Sequence, residues 1–559
     1  MHYELRLVSK ASGVGYFSCC PMEAVTTDAA LAYLRAHPHD EFMHKYVLDR
    51  VCACDPEIVG QLIAQAQQDS IFLAILCEAV LSDKKFRALR SRFPKGEVRR
   101  LSNHTPLIYL KSYVLEDQPT HHQWITYFAH NILDHKPLDS LENPSISLPI
   151  PGDRPGSPRL PVHIEEVLKR MAHSLPSQRE SPIPVEVTAQ NAREKLNAIG
   201  ILAGAEMKHT SSLSPCGLYR KWQLRLSVKH ADHNYTLAGI QTSFGRGLDE
   251  SHARASCAME MIERYSAFAS FDEYGASGFV QKHPLTGGSY LDLQHLPTLD
   301  PNSIRLEVPY ANDSLYWIEG EQIISGMSRS IWVPVQCVFL FCNLAEVSLF
   351  SGLGSTGLAS GNSIQQAKLN GLLEVIERDA EATSFYDVSR CFRLKAEDPV
   401  VSRLLDDYRA RGIQVQFQDI SHEFGIPCYK CFVIGPQGQV IKGSGAHLDG
   451  KKALLSALTE TPYPYPNGPA SLPGPAGIAT RLFEELPDYS SGGPQQDLAI
   501  LEAVLNTNGY QPVYVDITKQ DCAIPVVKAL IPGMELMADF DQFSRVGPGL
   551  LRNYLKVKK

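Results

Sequence analysis

The sequence lacks the features that would place the protein in a membrane or on nucleic acid. Its most apolar runs, such as residues 333–342, are far shorter than the ~20 residues that cross a bilayer. The N-terminus has no basic stretch followed by an apolar core, so no signal peptide is visible. The formal net charge is −8, whereas nucleic-acid binders are usually basic. We therefore expect a cytoplasmic protein that binds neither nucleic acid nor membranes.

Cysteine is also not arranged as in disulfide-rich or zinc-binding proteins. The thirteen cysteines are an odd number spread over 559 residues, which disfavours a disulfide framework. Cys428 and Cys431 lie in a predicted strand, where their thiols would point to opposite faces. Cys52 and Cys54 have no second pair at a zinc-ribbon spacing. We interpret these cysteines as free thiols.

The distribution of proline divides the chain. Seven prolines lie between Pro137 and Pro161, among Ser, Gly and Asp and without an apolar period. This composition predicts a Pro-rich linker over residues 136–180, which separates an N-terminal module, residues 1–135, from a larger domain, residues 181–559. A second Pro- and Gly-rich stretch, residues 462–475, predicts a long loop.

Hydrophobic periodicity predicts a mixed α/β fold after residue 180 and several separate elements in the module before it. Within the module we predict a strand at residues 3–8, a short helix at 29–37 and largely helical structure over 57–92. Beyond residue 180 we predict helices at 187–198, 400–411 and 498–508. We predict strands there at residues 222–230, 331–340, 414–417, 427–434 and 511–517.

The strongest motif is an internal repeat of Glu-x-Ile-Glu-Arg on two predicted helices. Each copy follows a Gly-rich stretch, at residues 243–247 and 352–361. Glutamates three residues apart share one helix face, so two facing helices would offer four carboxylates: Glu260, Glu263, Glu374 and Glu377. Such oxygen ligands suit Mg²⁺, completed by water and by the phosphates of a nucleotide.

Polar residues extend the same faces towards the N-termini of the helices. On the second helix these residues are Asn362, Gln366 and Asn370, which recur every four residues before Glu374. On the first helix Ser256 lies four residues before Glu260. Hydroxyl and carboxamide groups at these positions could bind phosphate, ribose or a base edge.

The same Gly-rich stretch contains Gly352-x-Gly354-x-x-Gly357, which matches the dinucleotide-binding fingerprint. That fold requires an acidic residue at the end of a second strand about 20 residues later. Here Glu374 and Glu377 lie inside a continuing helix, so we reject a nicotinamide-dinucleotide site.

Around these residues the sequence resembles the YcaO family. The resemblance rests on the helix of Ser256, Glu260 and Glu263, on residues 357–363 leading to the second Glu-Arg motif, and on a tail at residues 503–533. It covers roughly residues 185–550. It implies an α/β (α+β) ATP-binding domain in which paired Glu-bearing helices pack on mixed sheets.

The resemblance also implies ligands and site residues. Mg²⁺ and ATP would bind between the two helices, with Glu260, Glu263, Glu374 and Glu377 as metal ligands. Five residues would contact nucleotide or phosphate: Ser256, Asn362, Gln366, Asn370 and Arg378. A further phosphate arginine is usual after residues 457–460, where a Pro-rich segment stands instead, so Arg481 and Arg545 are the candidates. We also expect a homodimer.

Three functions follow from the resemblance. The first is an enzyme that uses ATP to activate a peptide or protein amide for heterocyclisation or thioamidation. The second is an accessory factor for ribosomal protein methylthiolation, and the third is a nucleotide-regulated peptide-binding module. A peptide substrate and a sulfur-donor or methylthiotransferase partner are implied. The azoline-forming branch tends to end in Pro-x-Pro-x-Pro, whereas here Pro462-x-Pro464-x-Pro466 is internal, which disfavours a standard azoline synthetase.

Overall fold

A computed structural model describes residues 1–9, 15–138, 160–171, 183–352, 354–535 and 540–557. Most of the predicted linker, residues 136–180, lies outside this range. The described part of it includes a helix, Ile164–Met171, whose Ile164 is fully buried against the helix Pro494–Thr507. The boundaries of the module and the linker stay predictions.

The helices and strands of the described residues follow in chain order. The helices are α1 Thr27–Ala36, α2 Glu41–Ala53, α3 Pro56–Gln65, α4 Ser70–Ser82, α5 Lys95–Leu101, α6 Tyr109–Val114, α7 Gln118–Asp134, α8 Ile164–Met171, α9 Val185–Ile199, α10 Glu250–Ala267, α11 Ile364–Thr383, α12 Pro399–Ala410, α13 Gly450–Glu460, α14 Pro494–Thr507 and α15 Pro548–Val557. The strands are β1 His2–Ser9, β2 Gly15–Pro21, β3 Leu202–Lys208, β4 Cys216–His230, β5 His233–Gly247, β6 Ser270–Asp272, β7 Gly275–Ser277, β8 Thr286–Gly288, β9 Leu315–Ile324, β10 Met327–Pro334, β11 Leu358–Ser360, β12 Cys391–Lys395, β13 Gln416–Asp419, β14 Cys428–Ile434, β15 Val440–Ala446, β16 Ala479–Leu482, β17 Val513–Asp516 and β18 Val526–Leu530. Among these helices, none combines the length and the apolar character needed to cross a bilayer.

The first sheet joins the N-terminal segment to the rest of the chain. Its order is β2-β1-β5-β4-β6-β7, and β3 pairs with β4. β1 runs parallel to β5, with His2 opposite Thr236. The side chain of Asn343 also forms two hydrogen bonds to the N-terminal segment. It donates to Asp40 and accepts from the backbone N–H of Glu41, both at 3.1 Å. Residues on both sides of the predicted linker therefore share one core.

Two further sheets carry the rest of the chain. One has the order β10-β9-β17-β18-β11, with β8 beside β9, and the other has the order β15-β14-β13-β12-β16. α10 packs on β5 of the first sheet, α11 on β18 of the second, and α13 on β15 of the third. α11 also contacts β15, so the two Glu-bearing helices lie where the sheets meet. The predicted α/β class with mixed sheets is confirmed.

Several predicted elements have different bounds in the structure. The strand predicted over residues 331–340 ends at Pro334, and a 3-10 turn, Val335–Cys337, follows it. The helical stretch predicted over 57–92 is broken into α3, α4 and a 3-10 helix, Lys84–Arg92. Each new piece begins at an aspartate, because Asp69 accepts from the N–H of Phe72 and Asp83 accepts from that of Lys85. The loop predicted over 462–475 is confirmed, since it contains no helix or strand.

Candidate nucleotide and magnesium site

Both Glu-bearing helices begin with a side-chain cap that fixes their first turn. Asp249 precedes α10 and accepts from the N–H of His252 at 2.9 Å. Ser363 precedes α11 and accepts from the N–H of Gln366 at 3.2 Å, while the Gln366 side chain accepts from the N–H of Asn362 at 2.8 Å. This arrangement resembles a capping box and sets the direction of the helix.

The first glutamate of each motif makes the same contact. Glu260 accepts a hydrogen bond at 2.8 Å from the backbone N–H of Phe244, in the strand before α10. Glu374 accepts one at 3.2 Å from the backbone N–H of Gly357, just before β11. The repeat seen in the sequence is thus a repeat of structure as well. In each copy, the carboxylate forms a hydrogen bond to the Gly-rich stretch that precedes its own helix.

Two glycines in the Gly-rich stretches before α10 and α11 lie where a neighbouring part of the backbone passes close by. Gly357 has φ +79°, and a Cβ there would lie 2.1 Å from the carbonyl oxygen of Ala529. At Gly245 a Cβ would lie 2.0 Å from the carbonyl oxygen of Ala253 in α10. Only glycine fits such positions. Gly245 lets α10 approach β5, and Gly357 lets the chain before β11 approach β18.

The second glutamates are largely buried, and the partly exposed region around Glu260, Glu263, Glu374 and Glu377 is called the cleft below. Glu377 accepts a hydrogen bond from the hydroxyl of Ser444 on β15 at 2.8 Å. The exposed fractions of the side chains are 30% for Glu260, 17% for Glu263 and 11% for Glu377. These carboxylates are mostly withdrawn from water, yet a small ligand can still reach them.

The electrostatics show that the carboxylates of the two helices act on one another. Burial raises the pKa of Glu263 well above its usual range, and Glu374 and Glu260 add to the rise. Burial also raises the pKa of Glu374 and of Glu377 to about 7. Acids that oppose each other's ionisation in a cleft favour a bound cation, which would remove this cost.

Four cations surround the glutamates. Arg264 lies 3.8 Å from both Glu260 and Glu263, and Arg378 lies 3.3 Å from Glu377. Lys528 on β18 is buried, and its pKa is lowered to about 8 by burial, with Glu374 acting in the opposite direction. Arg246 lies at the edge, 3.8 Å from Glu460. Such cations can hold the phosphates of a nucleotide.

The residues predicted to contact the nucleotide lie on or next to α10 and α11, and their surroundings differ. Ser256 is exposed on α10. Asn370 donates to the carbonyl oxygen of Ser360 at 3.1 Å, and Asn362 donates to the hydroxyl of Thr188 on α9 at 2.9 Å. Arg378 is held at 3.2 Å from Glu381, one turn further along α11. Their roles towards a nucleotide stay predictions.

The two arginines suggested for the phosphates have other partners. Arg481 donates to Asp419 at 3.0 Å and lies over the ring of Phe392, 4.5 Å from its centroid. Arg545 binds Asp117, with its closest approach at 2.6 Å. Both arginines thus have aspartate partners, and their suggested role towards a phosphate stays a prediction.

Three residues of the site went unnoticed as candidates in the sequence. Ser444 contacts Glu377. Glu460 ends α13, and burial raises its pKa, with Glu374 and Glu260 adding to the rise. Lys528 follows the apolar residues Ile524-Pro-Val-Val527. A lysine inside a buried strand was a usable signal, because a buried cation needs an acidic or carbonyl partner. Ser444 and Glu460 carried no local signal.

The donor set fits Mg²⁺ that is bound together with phosphates. Across the described residues, no three acidic, histidine or cysteine side chains converge closely enough to enclose an ion by themselves. Mg²⁺ keeps several waters and binds through one or two carboxylates plus substrate phosphates, so it does not need such a cage. Paired glutamates beside arginine and lysine meet this requirement.

Several known proteins are similar to this chain in sequence. A protein of Methanothermobacter thermautotrophicus is 29% identical over 53% of this chain and 82% of its own length. A Rhizobium leguminosarum bv. trifolii protein, described as encoded in the tfuA 3′ region, is 28% identical over 41% of this chain and 55% of its own length. Both are described as uncharacterised.

One solved structure is similar to this chain in fold, and a family profile matches its sequence. The structure is a heterocyclase in complex with substrate and cofactor, with a TM-score of 0.50 and 19% identity over 65% of this chain. The chain spans 54% of that protein's length. The profile described as YcaO cyclodehydratase, ATP- and Mg²⁺-binding, matches residues 244–462 and 464–535, more than half of the chain. The chain therefore belongs to the YcaO family of ATP-utilising, Mg²⁺-binding enzymes.

Proposed function

We propose that this enzyme uses Mg²⁺ and ATP to activate a backbone amide of a peptide or protein by phosphorylation. The observation that carries the proposal is the matched pair of contacts, Glu260 with the N–H of Phe244 and Glu374 with the N–H of Gly357. They support a cleft in which two equivalent acidic helices share one polyphosphate ligand.

Each group of residues would have a separate task. Glu260, Glu263, Glu374 and Glu377 would hold Mg²⁺, which neutralises the phosphates. Arg378 would contact a phosphate directly, because its ion pairs at 3.2–3.3 Å keep the guanidinium beside the cleft. Ser256, Asn362, Gln366 and Asn370 would bind the remainder of the nucleotide, since they extend the same faces of α10 and α11.

The proposed reaction needs positioning more than covalent catalysis. The amide oxygen forms a bond to the terminal phosphorus as the bond from that phosphorus to the ADP oxygen breaks. A thiol, a hydroxyl or sulfide then attacks the carbonyl carbon, and the oxygen leaves as inorganic phosphate. In ring closure the protons of the nucleophile and the amide pass to phosphate and solvent. Charge neutralisation and orientation supply most of the acceleration in such transfers.

The chain need not supply a nucleophile. Cys257 is the cysteine on α10, but it is buried and donates to the carbonyl oxygen of Ser243 at 3.6 Å. Burial raises its pKa to about 12, and Glu260 adds to the rise. A thiol with so little thiolate is a poor nucleophile, which supports a mechanism that relies on the activated substrate.

A sulfur-incorporating version of the reaction is favoured by one comparison. The Rhizobium relative is described by its position 3′ of tfuA, and the family resemblance associates a TfuA-like partner with sulfur supply. In this version sulfide attacks the activated amide and gives a thioamide. A methylthiotransferase partner would instead make the protein an accessory factor, and homodimerisation is compatible with either role.

The first experiment measures Mg²⁺-dependent binding of the non-hydrolysable analogue AMPPCP by calorimetry. Glu260→Gln and Glu377→Gln should each abolish binding, because each removes a charge that the cation needs. Glu502→Gln is the matched control, since Glu502 is half-buried on α14 and accepts a hydrogen bond from the hydroxyl of Tyr514. Wild-type affinity in both site variants would refute the assignment.

The second experiment follows the oxygen atom. Peptides encoded beside this gene, labelled with ¹⁸O at their backbone carbonyls, are incubated with enzyme, Mg²⁺ and ATP, with and without sulfide. The label should appear in inorganic phosphate, and the peptide mass should report either loss of water or exchange of oxygen for sulfur. ATP turnover that leaves all label in an unmodified peptide would contradict amide phosphorylation.

A further inference from the structure

A cavity lies beside the four glutamates, and its lining includes Thr356 and Lys528 but none of the glutamates themselves. Its volume is about 760 Å³, within the range of pockets that bind small molecules and short peptides. Its walls come from α7, the loop at residues 302–309, the Gly-rich residues before β11, strand β18 and the start of α15. The N-terminal segment thus contributes to this cavity through α7.

A single peptide unit separates the cavity from a glutamate of the cleft. Thr356 lines the cavity, and its carbonyl oxygen accepts a hydrogen bond from the ammonium group of Lys528 at 2.7 Å. The next residue, Gly357, donates its N–H to Glu374. The floor of the cavity is therefore also the wall against which Glu374 rests.

The arginines and the lysine that line the cavity differ in their partners. Arg305 lies 3.4 Å from Glu535, and Arg545 binds Asp117 at 2.6 Å. Glu307 accepts from the N–H of Ser351 at 2.6 Å. In the part of the chain that the structure describes, Lys528 forms no ion pair within 4 Å, although Glu374 and Glu263 act on it electrostatically.

We propose that this cavity is the acceptor site and that Lys528, at its floor, binds the terminal phosphoryl group and the acceptor oxygen. The proposal rests on the proposed function, and it assigns the acceptor a location and Lys528 a role in the transfer. A short peptide segment would lie in the cavity with one backbone carbonyl directed at the ammonium group. An anionic phosphoryl oxygen would then add a charged partner to the carbonyl oxygen of Thr356, which Lys528 already contacts.

The first test compares AMPPCP, which has the terminal phosphate, with ADP, which lacks it. Lys528→Met should weaken Mg²⁺-AMPPCP binding about tenfold, the loss of one charge-assisted hydrogen bond, and change Mg²⁺-ADP binding less than about twofold. Lys528→Arg should restore part of the difference. Lys519→Met is the control, because Lys519 is also buried but lies over the ring of Phe279. Equal effects on both nucleotides would overturn the role of Lys528.

The second test fills the cavity without disturbing the fold. A Cβ at Gly354 would meet no atom within 4 Å, and its φ is ordinary, so Gly354→Phe projects a ring into open space beside the cavity. Gly96→Phe is the control on an exposed helix surface with equal space. The probe is a pool of blocked tetrapeptides, read by saturation-transfer NMR in the presence of Mg²⁺-AMPPCP.

Wild type and Gly96→Phe should bind the tetrapeptides, whereas Gly354→Phe should lose them and keep its affinity for Mg²⁺-AMPPCP. Peptide binding to Gly354→Phe at the wild-type level, or no binding to wild type, would overturn the acceptor site. Neither outcome touches the proposed function, which fails only if wild type does not bind Mg²⁺-AMPPCP or leaves the amide oxygen in the peptide.

Discussion

The carboxylate of Glu374 accepts a hydrogen bond from the backbone N–H of Gly357, and this N–H lies one residue beyond the carbonyl that receives Lys528. An acid and a cation of the site are thereby fixed to the same short segment. This arrangement holds the carboxylate of Glu374 and the ammonium group of Lys528 near each other without a direct ion pair. Both charges therefore stay available to a ligand.

Removing a charge from the cleft should stabilise the protein when no ligand is present. Glu374→Gln keeps an oxygen for the N–H of Gly357 but cannot ionise. Since burial raises the pKa of Glu374 to about 7, we expect the variant to be about 1–3 kcal/mol more stable than wild type at pH 8. Urea unfolding without Mg²⁺ measures this, and a less stable variant would contradict it.

Glycine at position 357 should be essential for folding of the site. Gly357→Ala introduces a Cβ 2.1 Å from the carbonyl oxygen of Ala529, in backbone with φ +79°. We expect a loss of about 2–4 kcal/mol in the free energy of unfolding. Gly354→Ala, in open space within the same stretch, should change stability by less than about 1 kcal/mol. Similar losses in both variants would refute the argument.

The two neighbours on α10 should behave differently. Cys257 is 2% exposed, whereas Ser256 is exposed beside the cleft. We expect Cys257→Ala to keep Mg²⁺-AMPPCP binding and turnover while losing about 1 kcal/mol of stability through its smaller volume. Ser256→Ala should weaken binding without changing stability. The reverse pattern would assign the chemistry to a thiol and exclude amide phosphorylation as proposed.

One buried acid outside the site should make stability depend on pH. Glu346 accepts from the N–H of Tyr316 at 2.6 Å, and burial raises its pKa to about 7. The folded state therefore holds a proton that the unfolded state releases near pH 4.5. This contribution is complete below pH 4.5 and is lost as the pH rises through 7.

Between pH 5.5 and pH 8 wild type should lose about 2 kcal/mol more stability than Glu346→Gln, which cannot ionise. Urea unfolding of the two proteins at both pH values gives the difference directly, because the other titrating groups are common to both. Parallel losses would show that Glu346 does not titrate in this range.

The N-terminal segment should stay attached after the chain is cut. A site-specific protease sequence placed at Pro151 allows cleavage within the predicted linker. Because β1 pairs with β5 and Asp40 binds Asn343, we expect the two pieces to elute together in gel filtration and to separate only in denaturant. Separation under native conditions would support residues 1–135 as an independent module.

The sequence by itself determined the fold class and the acidic helices. Glutamates three residues apart share a face on any α-helix, and a repeated motif after Gly-rich entries needs no tertiary information to be recognised. The helix bounds were predicted within a few residues for α9, α12 and α14, because apolar periodicity is a local property. The strand beyond Pro334 was predicted wrongly, since a buried apolar run does not distinguish a strand from a turn.

Only the tertiary structure decided which distant residues complete the site. Ser444 contacts Glu377, which is 67 residues away in sequence, and Lys528 contacts Thr356, which is 172 residues away. These contacts form because β15 and β18 both pack on α11. The same packing gave Arg481 and Arg545 aspartate partners elsewhere. Local pattern fixes which side chains share a helix face. Which cation meets which acid depends on how the sheets assemble, and no spacing in the sequence records that.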